Sequence, residues 1–289
     1  MVSIIIINYR QKLLLRNCIN SIFDVIKSYP FEIIIVNNSP EENLDSLKID
    51  YPSIKLINYE NKGFASANNK GVKYSAGEYL FFLNADSIIK TDFLRNFINS
   101  FKDKEFGAAG LKLYNSDDTF QLSFWKENTF LNEVDNKKAE KLFKKRNLNL
   151  INDIEYQYCD ITEVDWTSGA AMIIRKDIFE RIKGFDERFF LFYEDADICK
   201  RLRNGGFKVY FYPFCKITHF KGENVNEEFR NVTYFYSKLS QILYYKIHNS
   251  FFERFILRFY LIFKFAILSL ITLKKINFDV FKLSLGIKK

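Results

Sequence analysis

The sequence predicts an α/β fold, a Rossmann-like, mainly parallel sheet flanked by helices, followed by a C-terminal helical extension. Three observations predict it. Short β-branched runs alternate with amphipathic stretches through the first hundred residues, the pattern of βαβ crossovers. Those runs are continuously apolar rather than alternating, as in strands covered on both faces. Beyond about residue 220 the pattern is helical to the end.

The elements follow in order. Val2–Asn8 (VSIIIIN) is the first buried strand. Residues 11–27 place Leu15, Ile19, Ile22 and Ile26 at spacings of three and four, one face of a helix. Residues 31–36 (FEIIIV) form a second strand that ends in the turn-forming Asn37-Asn38-Ser39-Pro40. A short third strand covers 54–58, and a small-residue helix covers 64–75, closed by Gly77. A fourth strand, 79–83 (YLFFL), runs into Asn84-Ala85-Asp86. From 112 to 163 the periodicity weakens; Lys137, Lys138, Lys141, Lys144 and Lys145 there would share a helical face, either a solvated one or a basic collar for acidic lipid or a diphosphate acceptor. Order returns at 164–175 and continues to Phe220. In parallel sheets ligands bind beyond the carboxyl ends of the strands. The residues to inspect are therefore Asn8-Tyr9, Asn37-Asn38-Ser39 and Asn84-Ala85-Asp86.

At 289 residues and 48% hydrophobic content the chain can bury a large core without staples. Its net charge of +8 excludes a disordered acidic chain and suits anionic partners. The positive charge gathers in the middle insert and the C-terminal tail, not along a nucleic-acid module, so no nucleic-acid partner is expected. Four scattered cysteines without a CxxC pair argue against a zinc ribbon and for a reducing compartment. The opening apolar run is too short for a signal-peptide core and lacks a preceding basic region, so a cytoplasmic location is expected.

Three clusters carry chemistry. Asn61-Lys62-Gly63-Phe64, running into Asn68-Asn69-Lys70-Gly71, opens a helix behind a strand; either backbone N–H groups approach an anion there or the glycine is an ordinary cap. Neither a GxGxxG nor a P-loop pattern is present. Asp86 follows an apolar strand and suits Mg²⁺ or Mn²⁺ held by one or two carboxylates with phosphate oxygens, or else caps the next turn. Glu194, Asp195 and Asp197 follow the aromatic run at 189–193. If a helix starts there, its dipole keeps them ionised, Glu194 and Asp197 share a face, and Asp195 turns elsewhere, toward Phe190 and Phe192. His219 is either a packed core residue or part of a metal site.

Taken together, these stretches resemble an inverting family 2 glycosyltransferase of the GT-A fold, in the subgroup of bacterial rhamnosyltransferase-like enzymes. The matching segments are VSIIIINYR, EIIIVNNS, NKGFASANNKG, EYLFFLNADS, DWTSGAAMIIR, GFDERFFLFYEDADICKRLR and KITH. They cover most of residues 1–220, the expected catalytic domain, and leave 221–289 as a helical membrane-associating region. The resemblance implies that Asn8, Tyr9 and the turn carrying Asn37 and Ser39 hold the base and ribose of a nucleotide sugar. Gly63, Phe64 and Asn69 would line the donor pocket. Asn84 and Asp86 match the family's DXD-equivalent, with Asp86 and His219 as ligands of a divalent cation, Mg²⁺ or Mn²⁺. Asp195 would be the general base, with Trp166, Gly169 and Glu194 on the acceptor side. The base-binding turn departs from the family's Val-Asp-Asn pattern, since Asn37 directly follows Val36. An amide still both donates and accepts, so a pyrimidine edge stays readable. The implied reaction is inverting transfer from a nucleoside-diphosphate donor, dTDP-rhamnose or a UDP-hexose, to a glycan or lipid-linked acceptor in bacterial surface polysaccharide assembly. The competing readings are a sugar nucleotidyltransferase, for which a basic Gly-rich signature is lacking, and a catalytically silent nucleotide-sugar-binding or membrane-scaffolding protein.

Residues 251–273 form an apolar run interrupted by Arg254, Arg258 and Lys264. A helix from Phe255 onward reaches about 28 Å, near bilayer thickness, but each cation at mid-depth costs roughly 2.5–3.5 kcal/mol. The expectation is therefore an interfacial helix on the inner face of the cell membrane, its basic side toward anionic headgroups. The alternative is the core helix of a homodimer.

Overall fold

A computed structural model describes residues 1–102, 106–221 and 226–287. The first half of the chain builds β1 (Val2–Asn8), α1 (Lys12–Val25), β2 (Phe31–Asn37), α2 (Asp45–Asp50), β3 (Lys55–Asn58), α3 (Phe64–Val72), β4 (Tyr79–Asn84), β5 (Ser87–Ile89), α4 (Leu94–Phe101) and β6 (Phe106–Tyr114). The middle adds β7 (Phe120–Gln121), β8 (Phe124–Trp125), α5 (Phe130–Lys144), α6 (Leu148–Gln157), β9 (Thr162–Glu163), β10 (Trp166–Thr167) and β11 (Ala171–Arg175). The remainder is α7 (Lys176–Arg181), α8 (Glu194–Asn204), β12 (Lys208–His219), α9 (Glu227–His248), α10 (Phe251–Thr272) and α11 (Lys275–Leu285).

The main sheet runs β3-β2-β1-β4-β11-β6-β12-β5. Its first four strands are parallel, in register from Val2 opposite Phe31 and Tyr79. β11 enters antiparallel between β4 and β6, and β5 pairs antiparallel with the end of β12. The Ile-rich stretch of β1 is almost wholly buried because helices cover both faces of the sheet. One face packs Leu15, Ile19 and Ile22 of α1 with Phe97 and Phe101 of α4; the other packs Ile178, Ile198 and Leu202 of α7 and α8.

Two local outcomes position the site. The stretch expected as one ordered segment at 164–175 splits into β10 and β11, because residues 168–170 turn out of the sheet. β12 is much longer than the 216–218 pattern suggested, and its last residues pair with β5, so that His219 lies opposite Ser87. On α5, Lys137 pairs with Glu133 and Lys138 with Asp135, within their own helix. The C-terminal helices share a buried cluster with the loop before α8 and with α8 itself: Phe189 and Ala196 pack with Tyr244, Tyr245, Leu257, Leu261 and Phe265.

Candidate active site

Pairing of β5 with β12 brings the end of β4 and the end of β12 together, though they lie more than 130 residues apart. His219 Nε2 sits 3.3 Å from Asp86 Oδ1 and 3.3 Å from Asn84 Nδ2, with Asp86 and His219 both buried. Gln121, a residue that sequence reasoning missed, sets the imidazole. Its amide nitrogen donates to the His219 carbonyl and to Asn115 Oδ1, so its Oε1 must face His219 Nδ1, 2.8 Å away. A carbonyl oxygen only accepts. Nδ1 therefore carries a proton, and Nε2 is the ring nitrogen that faces Asp86.

Among the described residues no group of three or more His, Cys, Asp or Glu gathers as a metal cage. A carboxylate and a neutral imidazole nonetheless fit a hard cation whose remaining ligands are phosphate oxygens and water. Gln121→Leu is expected to raise the Mn²⁺ concentration needed for half-maximal nucleotide binding by about 10–100-fold, the usual worth of a residue that orients a histidine ligand. Calorimetric titration reads that shift.

The acidic cluster resolves into three different environments. Phe192 and Tyr193 both adopt left-handed backbone, φ 66° and 65°, immediately before α8. Such geometry is costly outside glycine and persists only where surroundings enforce it. Here Tyr193 donates to the buried Glu133, which also accepts from Gln241. Ser240 donates to the Leu191 carbonyl at 2.9 Å, and Phe190 stacks on Tyr236 with ring centres 4.4 Å apart. Helix α9 thus clamps the loop in front of α8.

Asp197 is fully buried in an ion pair with Arg201 at 2.7 Å and accepts from His248 Nε2 at 2.7 Å. It is structural. Glu194 is also buried, and its Oε2 has no hydrogen-bond partner among the described residues. Burial, reinforced by Asp195 and Asp197, pushes its carboxyl well above the ordinary range. The expectation that the helix dipole keeps all three carboxylates ionised therefore fails at Glu194, because desolvation outweighs the dipole. Asp195 alone turns toward the sheet. Its Oδ2 accepts from the Gly169 N–H at 3.1 Å and its Oδ1 from the Ala196 N–H at 2.9 Å. Burial raises its pKa and these two donors oppose the rise. Within one helical turn, burial and like charge raise the Glu194 pKa well above the ordinary range, while Asp195 keeps two N–H donors that favour its ionised form.

Asp195 lies beside Phe64 rather than beside the aromatic wall expected of Phe190 and Phe192. A Cβ added to Gly169 would stand 3.6 Å from Asp195 Cβ and 3.6 Å from Phe64 Cε1, whereas Phe192 is exposed and Phe190 faces Tyr236. Ala170, next to Gly169, accepts from the Asn84 backbone at 2.9 Å, which joins the Asp195 side to the Asp86 side. Trp166 stacks on Trp125 at 4.4 Å and donates to the Lys126 carbonyl.

On the third side the sequence-predicted residues are present but differently employed. The Gly63 and Phe64 N–H groups bond to Asn61 Oδ1 and to the Phe190 carbonyl, so they do not offer the anion seat that a helix N-terminus suggested. Gly63 is required for another reason: at φ 95° a Cβ there would lie 2.4 Å from the Phe190 carbonyl oxygen. Asn69 bridges α3 to the Phe185 backbone and to Glu187. Asn8 and Asn37 are fully buried and bond to each other at 3.0 Å. Asn37 also donates to Asn58 and the Glu42 carbonyl and accepts from the Ser39 N–H, so its amide is consumed inside the loop. Ser39 Oγ accepts from the Arg10 N–H. The acceptor left over is Asn38 Oδ1, buried without a hydrogen-bond partner among the described residues. Tyr9 is half-buried and stacks on Phe229 at 6.3 Å.

Comparison with known proteins fits this arrangement. The chain is 27% identical over 207 residues to rhamnosyltransferase WbbL of Escherichia coli K12, covering 66% of this chain and 73% of the relative. It is 24% identical over 225 residues to dTDP-rhamnosyl transferase RfbF of Shigella flexneri, covering 76% and 69%. A crystal structure of GalNAc-T7 with UDP, GalNAc and Mn²⁺ superposes with a TM-score of 0.58 at 13% identity, over 85% of this chain and 49% of that one. That likeness shows the fold, which is GT-A. A model described as the N-terminal domain of galactosyltransferase matches residues 154–223, the segment holding Gly169, Asp195 and His219. The model for glycosyl transferase family 2 matches residues 3–182, from the first strand through the Asp86 turn to β11. Spanning more than half its length, that match places the chain in glycosyl transferase family 2.

Proposed function

We propose that the protein transfers a sugar from a nucleoside-diphosphate donor, dTDP-rhamnose or a UDP-hexose, to a glycan or lipid-linked saccharide, with inversion, in bacterial surface polysaccharide assembly. The observation that carries this reading is that Asp86 and His219 meet beyond the carboxyl end of β4, while Asp195 accepts from Gly169, whose neighbour Ala170 is bonded to the Asn84 backbone. Asp86 and His219 would hold a divalent cation, Mg²⁺ or Mn²⁺, which when bound neutralises the diphosphate leaving group. Asn38 supplies a hydrogen-bond acceptor for an N–H on the base edge, a place the resemblance gave to Asn37, while Tyr9 flanks the same end of the sheet. Asp195 takes the proton of the acceptor hydroxyl as that hydroxyl attacks the anomeric carbon. Phe64, Gly169 and Trp166 shape the acceptor side, with Glu194 buried behind Asp195. A single displacement with Asp195 as base gives inversion; a double displacement would need a nucleophile on the opposite side of the anomeric carbon. Residues 1–220 form the catalytic domain in this reading, and 221–289 hold it at the inner face of the cell membrane, on the cytoplasmic side.

A calorimetric screen of UDP-, dTDP- and GDP-sugars with and without Mn²⁺ tests it. One donor class is expected to bind with Mn²⁺ dependence and to be hydrolysed slowly without acceptor. Binding without any turnover would favour the silent nucleotide-sugar-binding protein instead.

A further inference from the structure

Helix α10 shows the solvent a face unlike the one its sequence suggested. Leu257, Leu261, Phe265 and Ser269 are its buried edge against the neighbouring helices. The opposite face carries Phe252, Phe255, Phe259, Phe263 and Leu270, each 59–77% exposed and none of them charged. The cations do not lie on that face. Arg258 bonds back to the Ser284 carbonyl on α11, and Lys264 lies over the Tyr260 and Phe265 rings. By length and composition the helix could cross a bilayer, but its buried edge is committed to α9 and α11. Helix α9 is in turn fixed to the loop before α8 through Ser240, to Glu133 of α5 through Gln241 and to Asp197 of α8 through His248. Immersion of the outward face alone keeps those contacts.

Between α9 and α10 lies a cleft of about 450 Å³. Tyr245 and Leu257 form its buried floor, Phe255 joins it to the exposed apolar face, and Lys246, Arg254 and Arg258 line it as well. None of its lining residues is acidic, and Lys246 is exposed with no hydrogen bond or ion pair to the described residues. An anionic head with an apolar tail matches both halves of this surface.

We propose that the α9–α10 cleft seats the phosphate headgroup of an anionic phospholipid while the Phe252–Leu270 face of α10 lies among the acyl chains. The proposal deepens the membrane reading above and rests on it. A second copy of the chain fits the surface less well. A two-fold contact pairs a patch with itself, which would set Lys246, Arg254 and Arg258 of each copy beside their like-charged mates. A lipid phosphate neutralises them. Immersion to the depth usual for interfacial helices, about 5–10 Å, covers the phenylalanine stripe and leaves the catalytic cleft in water.

Co-sedimentation of the full chain with phosphatidylcholine vesicles, with and without phosphatidylglycerol, tests this. The wild-type chain is expected to prefer the anionic vesicles, and raised salt should erase the preference. Lys246→Gln with Arg254→Gln should reduce the preference about 30-fold, from about 5-fold per cation, and leave weak binding to neutral vesicles. Phe255→Ser with Phe259→Ser should lose both. Nucleotide-sugar affinity and circular dichroism, measured on the same samples, should not change in either variant. If the wild-type chain fails to bind any nucleotide sugar yet sediments as described, the transferase reading fails and this one stands. An anionic preference that survives Lys246→Gln with Arg254→Gln overturns the proposal. So does a soluble dimer that Phe259→Ser dissolves and that ignores vesicles. Saturation by a polyprenyl diphosphate in neutral vesicles, with phosphatidylglycerol having no effect, would make the cleft an acceptor site instead and equally overturns it.

Discussion

Asp86→Ala is expected to abolish sugar transfer and to weaken nucleotide-sugar binding only when a divalent cation is present. The expectation follows from where Asp86 stands. It is buried just after an apolar strand, 3.3 Å from Nε2 of a histidine whose ring Gln121 orients through Nδ1. A nucleoside diphosphate leaves poorly until its charge is neutralised, and a cation site acts mainly on that developing charge. Losing one donor to such charge costs about 10²–10³-fold even where others remain. Here, among the described residues, Asp86 and His219 form a pair and not a cage, so the loss should exceed that range. Donor titrations with Mn²⁺ and with chelator separate the metal effect from simple misfolding: the variant and the wild type should bind equally in chelator. Wild-type transfer by Asp86→Ala would remove Asp86 from the metal site.

The second large effect is Asp195→Asn, which keeps the side-chain shape and one of its two N–H acceptors but removes basicity. The rate of transfer should fall by about 10²–10⁴-fold, the usual worth of a positioned base. Donor affinity should hardly change, because the proton it takes belongs to the acceptor. The pH profile adds an independent readout. Burial raises the Asp195 pKa, and a base works only when ionised. Transfer should therefore decline on acidification at a higher pH than an ordinary aspartate would give, and that acidic limb should vanish in Asp195→Asn. Glu194→Gln is expected to do less, since Glu194 is buried and its burial disfavours the charged form. A near-normal Asp195→Asn beside an inactive Glu194→Gln would transfer the role to Glu194.

Much of this was legible from local pattern. Continuous apolar runs, β-branched in β1 and β2 and aromatic or leucine in β4, marked these strands, because strands covered on both faces have no polar side to show. Asp86 stood out as a carboxylate just after such a run, and the acidic cluster as the first turn of a helix. The spacing of Glu194, Asp195 and Asp197 alone foretold that the middle one turns away from its neighbours. Gln121 and His248 gave no such sign. Gln121 sits in a weakly periodic stretch, and its meaning comes from β12, which delivers the His219 carbonyl and ring to it from 98 residues away.

The sequence by itself thus determined the alternation of strands and helices, the carboxylates at their ends and the helical tail, since periodicity and end signals are carried by neighbours along the chain. Only the tertiary structure decided which of those polar groups remain available for chemistry. It consumed the amides of Asn8, Asn37 and Asn69 in holding loops, buried Glu194 so that its charged form is disfavoured, tied Asp197 to Arg201 and His248, and turned Asp195 to the Gly169 N–H. It likewise turned the cations of α10 away from its outward face. The physical reason is common to all of these. A side chain's charge state and free hydrogen-bonding capacity depend on partners and solvent exposure, and strand pairing and helix packing bring those partners from distant parts of the chain.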